Sequence, residues 1–399
     1  MTSTPTAPSL TLPAPSGSCP FDPPPAYGIA GREGPVTAAR LPDGGFCWLV
    51  TGYQEVRAVL SDQRFSADAR HPGFPFTSPG RRALATTNPS FLRLDDPEHA
   101  RLRRMVTKDF LVKRVEAMRP EIQRIVDDTI DGMTARGTTA DLVADFALPV
   151  PSLVICLLLG VPYADHEFFQ GLSRTLLDGT TPPARAREAQ RELQDYLTGL
   201  AAEKLRRPGD DVLSRLAARE DLGPAEIAAT GLLLLVAGHE TTANMTALAT
   251  LALLRRPGQA ALLRADPGLV RGAVEELLRY LTIIQSGLPR VATADVELGG
   301  TLVRSGEAVM CMLSTANRDE AVFGAADELD VERDARRHLA FGFGVHQCLG
   351  QPLARAELQI ALETLLRRLP GLRVLAADDE LVHRSRDVVH GLVSLPVAW

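Results

Sequence analysis

The chain has 399 residues, 45% of them hydrophobic, and at this size roughly three quarters of the unfolded surface is buried on folding. Its net charge of -6 argues against a general nucleic-acid binder. The five cysteines, Cys19, Cys47, Cys156, Cys311 and Cys348, are odd in number, scattered and never spaced CxxC, which suits neither a disulfide framework nor a structural zinc site.

Residues 1–25 are rich in Pro, Ser, Thr and Ala and lack an apolar leader, so a flexible tail is expected there, followed by one large domain over 26–399. Residues 46–51 read as a strand, and 112–133 as a helix with apolar positions three and four apart. The uncharged stretch 146–164 contains Pro149, Pro151, Gly160 and Pro162, leaving 152–159 as unbroken helix, too short to span a bilayer. Further helices are expected over 187–205, 224–255, 267–281 and 350–369, and strands over 291–298 and 388–397. The balance is mainly α with small β-sheets.

The helix over 224–255 starts at Pro224 and stops at RRPG. About 32 residues make a rod of roughly 48 Å. Its flanks, GLLLLV and ALATLALL, are apolar, whereas its middle, AGHETTAN at 237–244, is polar and needs a partner if buried. Ala237, Gly238 and Thr241 share a face against which a bulky group can lie. A zinc-protease HExxH reading fails because position 243 is Ala. Taken alone, the threonines would read as a capping or kink-stabilising cluster.

Near the C-terminus stands FGFGVHQCLG, residues 341–350. A helix starting at about Gly350 aims its free amides at Cys348 and favours a thiolate. Gly342, Gly344 and Gly350 allow tight turns and close approach to a flat ligand, and His346 offers a donor to an anion. One thiolate at an open coordination site suits haem iron.

This segment resembles the cysteine-ligand signature of the cytochrome P-450 superfamily, with Phe341, Gly344, His346, Cys348 and Gly350 in register. Residues 237–242, AGHETT, are similar to its oxygen-activation motif, and Glu276 with Arg279 to its ExxR pair. The resemblance, closest to soluble actinomycete-type members, covers everything beyond the tail. It implies the cytochrome P-450 fold, with heme b between the long central helix and the cysteine loop. On that likeness Cys348 is the axial metal ligand, and His99, Arg103, Arg290 and His346 hold the haem propionates. Ala237, Gly238, Phe341, Gly342 and Gly350 line the cofactor, and Thr241 and Glu240 deliver protons to oxygen. A second arginine, Arg318 or Arg333, would join the Glu276–Arg279 pair. Leu329 and the GAAD at 324–327 depart from the family pattern and leave that loop's path open.

The implied activity is monooxygenation: O2 and two electrons hydroxylate or epoxidise a bulky apolar small molecule, a secondary metabolite such as a macrolide, polyketide or terpenoid. The chain shows no GxGxxG turn or clustered iron–sulfur cysteines, so a separate ferredoxin and an NAD(P)H-dependent ferredoxin reductase are expected. Docking is expected near Arg101, Arg104, Lys108 and Arg355. A cytoplasmic monomer, bound to neither membrane nor nucleic acid, is expected. The pocket is expected from 65–92, 165–183, 282–288 and 388–395, with 65–92 a mobile lid and His71 a solvated loop residue. A peroxide-driven or isomerising haem enzyme and a non-catalytic haem sensor are the alternatives; the Glu240–Thr241 pair argues for oxygen activation.

Overall fold

The computed structural model describes residues 10–17, 19–85, 90–384 and 387–399. Its axis is the helix Pro224–Leu254, buried on all sides along most of its length, as expected of a helix whose apolar residues are not confined to one stripe. Pro224 occupies the first turn, where its missing N–H costs nothing, and Glu226 accepts the Gly223 amide at 3.0 Å. At the far end Arg255 donates to the Ala376 carbonyl at 2.9 Å and pairs with Asp378 at 2.6 Å. Helices Pro149–Leu159, Pro183–Arg206 and Gln351–Arg368 pack around this rod.

Other helices follow the sequence pattern with shifted ends. Val112–Ala135 and Gln351–Arg368 match closely. The helix expected over 187–205 begins earlier, at Pro183, because proline is preorganised for a first turn. The one expected over 267–281 divides into a 3₁₀ turn, Pro267–Leu269, and a helix, Val270–Leu281. The uncharged stretch forms Pro149–Leu159, longer than 152–159, since both prolines fall in the first turn, whose amides have no intrahelical acceptor. Among the described residues no helix is long and apolar enough to cross a membrane.

The largest sheet runs in the order Val36–Arg40, Phe46–Val50, Ala308–Cys311, Leu288–Ala292 and Phe65–Ser66, with the second and third strands parallel. The strand expected over 291–298 is split: Leu288–Ala292 joins this sheet, whereas Val296–Leu298 pairs with Thr301–Val303. The strand expected over 388–397 contracts to Pro396–Ala398, beside Thr139–Asp141 and Arg373–Val374. Residues 10–17 and 19–24, expected to belong to a loose tail, lie against the body. The Leu12 amide donates to the Arg40 carbonyl at 2.8 Å, and Leu12, Ala14 and Phe21 are buried. Such an extended strap borrows the sheet edge and leaves no helical or alternating pattern to read. Residues 1–9 lie outside the described residues.

Two buried glutamates mark the core. Glu276 and Arg279, both fully buried, form a two-pronged pair at 2.7 and 2.8 Å. Arg333 adds a contact to Glu276 at 3.2 Å, so it, not Arg318, is the second arginine. Arg318 instead pairs with Asp327 at 2.9 Å and lies over the Tyr280 ring. The remaining Arg279 protons reach the carbonyls of Asn317, Ala326 and Glu328 at 2.7–3.0 Å, and Arg333 donates to those of Phe323, Gly324 and Ala325. These bonds define the path of the 324–328 loop despite its missing prolines. Leu329 is buried in the main core. Glu357, on the helix after Cys348, is buried with one oxygen unpartnered, and burial pushes its pKa well above the usual carboxylate range.

Glu276→Gln keeps the side-chain volume but removes the charge opposite two arginines, and should cost about 3–5 kcal/mol in chemical denaturation. A loss below about 1 kcal/mol would mean that the carbonyls alone suffice. For Glu357 the folded state holds its proton after the unfolded chain has lost it. Stability is therefore full below the unfolded value near 4.5 and declines as pH rises towards the folded value, by about 1.4 kcal/mol per unit. Glu357→Gln should gain on the parent steadily between acid and neutral pH; parallel stability–pH curves would contradict the assignment.

Candidate functional site

The loop before Gln351–Arg368 turns on glycines. Gly342 and Gly344 have φ of +71° and +73°, where other residues are strained. A side chain at Gly344 would also strike the Leu60 carbonyl, so this glycine serves packing on a neighbouring helix instead of ligand approach. Gly350 has an ordinary φ of -78°, and its value lies in its amide. The Phe341 carbonyl accepts the Cys348 amide at 2.8 Å and closes the loop.

Cys348 presents an accessible sulfur although protein surrounds it. Burial pushes its thiol pKa up; the Gly350 and Gln351 amides and the charges of Arg103 and Arg355 oppose that push without reversing it. The expected amide contacts are present, but they do not by themselves make a thiolate. A metal ion displacing the proton would. Behind the loop, Arg355 grips Glu275 at 2.7 and 2.9 Å and lies 4.6 Å from the Phe341 ring centre. His338 reaches the same carboxylate at 3.1 Å. Burial alone would raise the Glu275 pKa, yet His338 and Arg355 hold it down at about 2.

Beside the sulfur, four expected side chains converge from three elements. His99 and Arg103 lie one turn apart on Glu98–Thr107, Arg290 is fixed on Leu288–Ala292, and His346 precedes the cysteine. The rings of His99 and His346 are 4.1 Å apart. Burial first, then Arg290, His99 and Arg103, push the His346 pKa down to about 3. Arg103 donates to the Gln347 carbonyl at 2.6 Å and Arg290 to that of Pro289 at 2.8 Å. Neither arginine has a carboxylate within 4 Å among the described residues. His99 Nδ1 meets Asp96 at 2.9 Å, while its Nε2 is buried without a partner. Unneutralised cations and an orphaned ring nitrogen beside one sulfur fit a porphyrin bearing two carboxylates. Among the described residues no group of three or more His, Cys, Asp or Glu could hold a metal ion.

The middle of the central helix breaks its own burial: Ala237 is exposed, and Gly238 and Thr241 are half-buried. Gly238 does not simply clear space for ligands, because an added Cβ would meet Ile155 at 2.6 Å; it lets Pro149–Leu159 pack closely. Thr241 Oγ1 donates to the Ala237 carbonyl at 2.7 Å. Glu240 is buried with Oε1 unpartnered, and burial raises its pKa against the pull of Arg384 and Arg174. His239 Nδ1 donates to the Leu235 carbonyl at 2.7 Å.

Described parts of the four expected pocket segments meet. Gly80 sits against the Thr181 carbonyl, Val388 N donates to Leu177 at 3.0 Å, and His390 N donates to Ile283 at 2.8 Å. Residues 86–89 lie outside the described residues. The beginning of the expected lid is anchored, because Asp95 accepts Ser66 Oγ at 2.5 Å and Ala67 N at 2.8 Å, and Phe74 is buried. His71 is half-buried and its Nδ1 accepts the Gly73 amide at 3.3 Å. Of the expected docking residues, Arg104 and Lys108 are exposed, whereas Arg101 pairs with Glu226 and Arg355 is committed to Glu275. Sequence reasoning missed Asp96, whose place three residues before His99 was a usable signal, and Glu275, whose partners lie 63 and 80 positions away.

The family model described as Cytochrome P450 matches residues 184–370. Cytochrome P450-SU2 of Streptomyces griseolus is 62% identical over 392 residues, which cover 98% of this chain and 97% of that protein. Pentalenic acid synthase of Streptomyces avermitilis is 50% identical, with 96% of each chain covered. Among solved structures, mycinamicin VIII C21 methyl hydroxylase MycCI from Micromonospora griseorubida, bound to mycinamicin VIII, superposes with a TM-score of 0.92 at 40% identity, covering 98% of this chain and 100% of that one. Likeness at these identities along nearly the whole length establishes that the chain belongs to the cytochrome P450 family of haem-iron monooxygenases.

Proposed function

We propose that this cytochrome P450 monooxygenase hydroxylates or epoxidises a bulky natural product in the cytoplasm as a monomer, using heme b and electrons from a ferredoxin and its NAD(P)H-dependent reductase. The observation that carries the reading is the convergence of His99, Arg103, Arg290 and His346 beside Cys348, with neither arginine paired to a carboxylate. Cys348 would hold the iron, and those four residues the propionates. With Asp96 at Nδ1, Nε2 is the ring nitrogen that His99 leaves free for a ligand. When bound, the haem supplies reductive activation of O2, placing one oxygen atom in the substrate and the other in water.

The chain's own part is to position substrate and move protons. Ala237 and Phe341 would flank the cofactor, and Gly342 and Gly350 would shape the loop that carries Cys348. Thr241, whose hydroxyl proton is held by the Ala237 carbonyl, offers its lone pairs to a proton donor. Glu240 keeps a proton more readily than an exposed carboxylate, and Arg384, Arg174 and Asp387 are the charges that act on it. Relatives named for pentalenic acid and mycinamicin support a natural-product substrate. The exposed Arg104 and Lys108, with Arg101, favour an acidic redox partner.

Incubation with labelled dioxygen, ferredoxin, reductase and a natural-product library should give a product carrying one labelled atom, and only with reductant. Turnover without reductant, or an unlabelled product, would favour the peroxide-driven or isomerising alternative. Thr241→Ala should keep consuming oxygen while product per electron falls roughly tenfold or more. Unchanged coupling would remove Thr241 from proton delivery.

A further inference from the structure

A cavity of ≈ 810 Å³ lies between residues 12–17 and 19–24 of the strap, the helix Pro79–Ala85, the 179–180 turn, Gln285, Ser286, His383, Arg384, Asp387 and His390. Its inner wall adjoins the site. Gly391 approaches Asn244 too closely for any side chain, and Asn244 donates to the Glu240 carbonyl at 2.7 Å. Leu288, just beyond Ser286, lies 3.5 Å from where a Cβ on Gly342 would stand.

Two consecutive arginines at the rim behave differently. Arg82 turns outward and pairs with Asp43. Arg81 lines the cavity, reaches Thr77 Oγ1 only at 3.5 Å, and has no carboxylate within 4 Å among the described residues. Its short helix is set in place by Gly80, where an added Cβ would lie 2.7 Å from the Thr181 carbonyl oxygen. Arg93, outside the cavity lining but within electrostatic reach of Arg81, lies 5.4 Å from the Phe74 ring centre, likewise with no carboxylate within 4 Å among the described residues. The charges felt by Arg93 are those of Arg81 and Arg290, both repulsive. By contrast Arg279, Arg318, Arg333 and Arg355 each have a carboxylate within that distance. Arg290 is accounted for by the propionates; Arg81 and Arg93 are not.

Arg81 and Arg93 are half-buried side chains with protein around their guanidinium groups; a cation in such a place without a counter-ion is costly, and a ligand can supply the charge. Burial lowers the pKa of Arg81 to about 10 and of Arg93 to about 9, so both still hold their protons at neutral pH. Asp387, on the same cavity, is the acidic group felt by Arg81; burial and Asp178 push its pKa up to about 6, which leaves it mostly ionised at neutral pH, but it lies beyond 4 Å from Arg81 and Arg93 feels no acidic group.

We propose that Arg81 and Arg93 bind a carboxylate on the substrate, anchoring it at the cavity while its apolar body extends towards Ala237 and Thr241. This rests on the monooxygenase reading above and narrows it from apolar natural products to those carrying an acid group.

The test compares three carboxylic acids, dodecanoic, abietic and cholic, with their methyl esters on the purified full-length protein. Binding is read both as a thermal shift and as the absorbance change of the haem. For at least one pair the acid should bind about tenfold tighter than its ester, the scale of a charge-assisted contact. Arg81→Gln and Arg93→Gln should erase that preference while ester affinity stays within about twofold, and Arg81→Lys should keep part of it. If no acid outcompetes its ester on the unmodified protein, or the glutamine variants weaken acid and ester alike, the proposal is overturned. The thermal shift does not depend on haem chemistry. An acid preference in a protein without a thiolate-ligated haem spectrum would therefore sink the monooxygenase reading and spare the carboxylate site, and the reverse result would do the opposite.

Discussion

A thiol surrounded by protein resists ionisation unless a positive partner replaces its proton, and that constraint organises the structure around Cys348. The amides of Gly350 and Gln351 and the charges of Arg103 and Arg355 lower the cost without removing it. A metal cation would complete the balance, since binding a thiolate and losing its proton are one event. The surrounding elements hold that sulfur in place: the Phe341 carbonyl closes the loop, the Glu275–Arg355–His338 cluster ties it to neighbouring helices, and the Gly344–Leu60 contact fixes its outer turn.

The arginines separate two kinds of work. Those that hold the fold are matched to acids inside the protein, Arg279 and Arg333 to Glu276 and Arg355 to Glu275. Arg81, Arg93, Arg103 and Arg290 have no such match within 4 Å among the described residues, and they run from the outer cavity to the sulfur. Paired cations cross-link the protein; on the proposed reading these four unpaired ones meet negative charge that arrives with ligands. The central helix makes a similar division along its length, apolar at both ends where it packs and less buried at Ala237, Gly238 and Thr241, the positions proposed to face the cofactor.

Much of this was legible in the chain because the signals are local. The long helix is bounded by Pro224 and RRPG, and the cysteine loop carries its glycines, histidine and following helix within ten residues. Elements governed by distant contacts were less legible. The strap at 10–17 and 19–24 owes its order to the edge of a sheet and to Tyr27, not to its own proline-rich pattern. The region 388–397 has strand-like composition, but His383, Asp387 and His390 are held by isolated bridges and single bonds to other segments. For Gly238 the sequence shows what the residue lacks but not which neighbour uses the space; Ile155 packs against it. The choice between Arg318 and Arg333 likewise required knowing which guanidinium reaches Glu276.

The most direct measurement of the central claim is the absorbance of the reduced protein with carbon monoxide, compared between the parent and Cys348→His. A sulfur-ligated iron predicts the red-shifted thiolate spectrum in the parent and its replacement by an ordinary imidazole-type haem spectrum in the variant. A parent lacking the red-shifted band, or a variant that retains it, would contradict ligation by Cys348 and with it the account of the site.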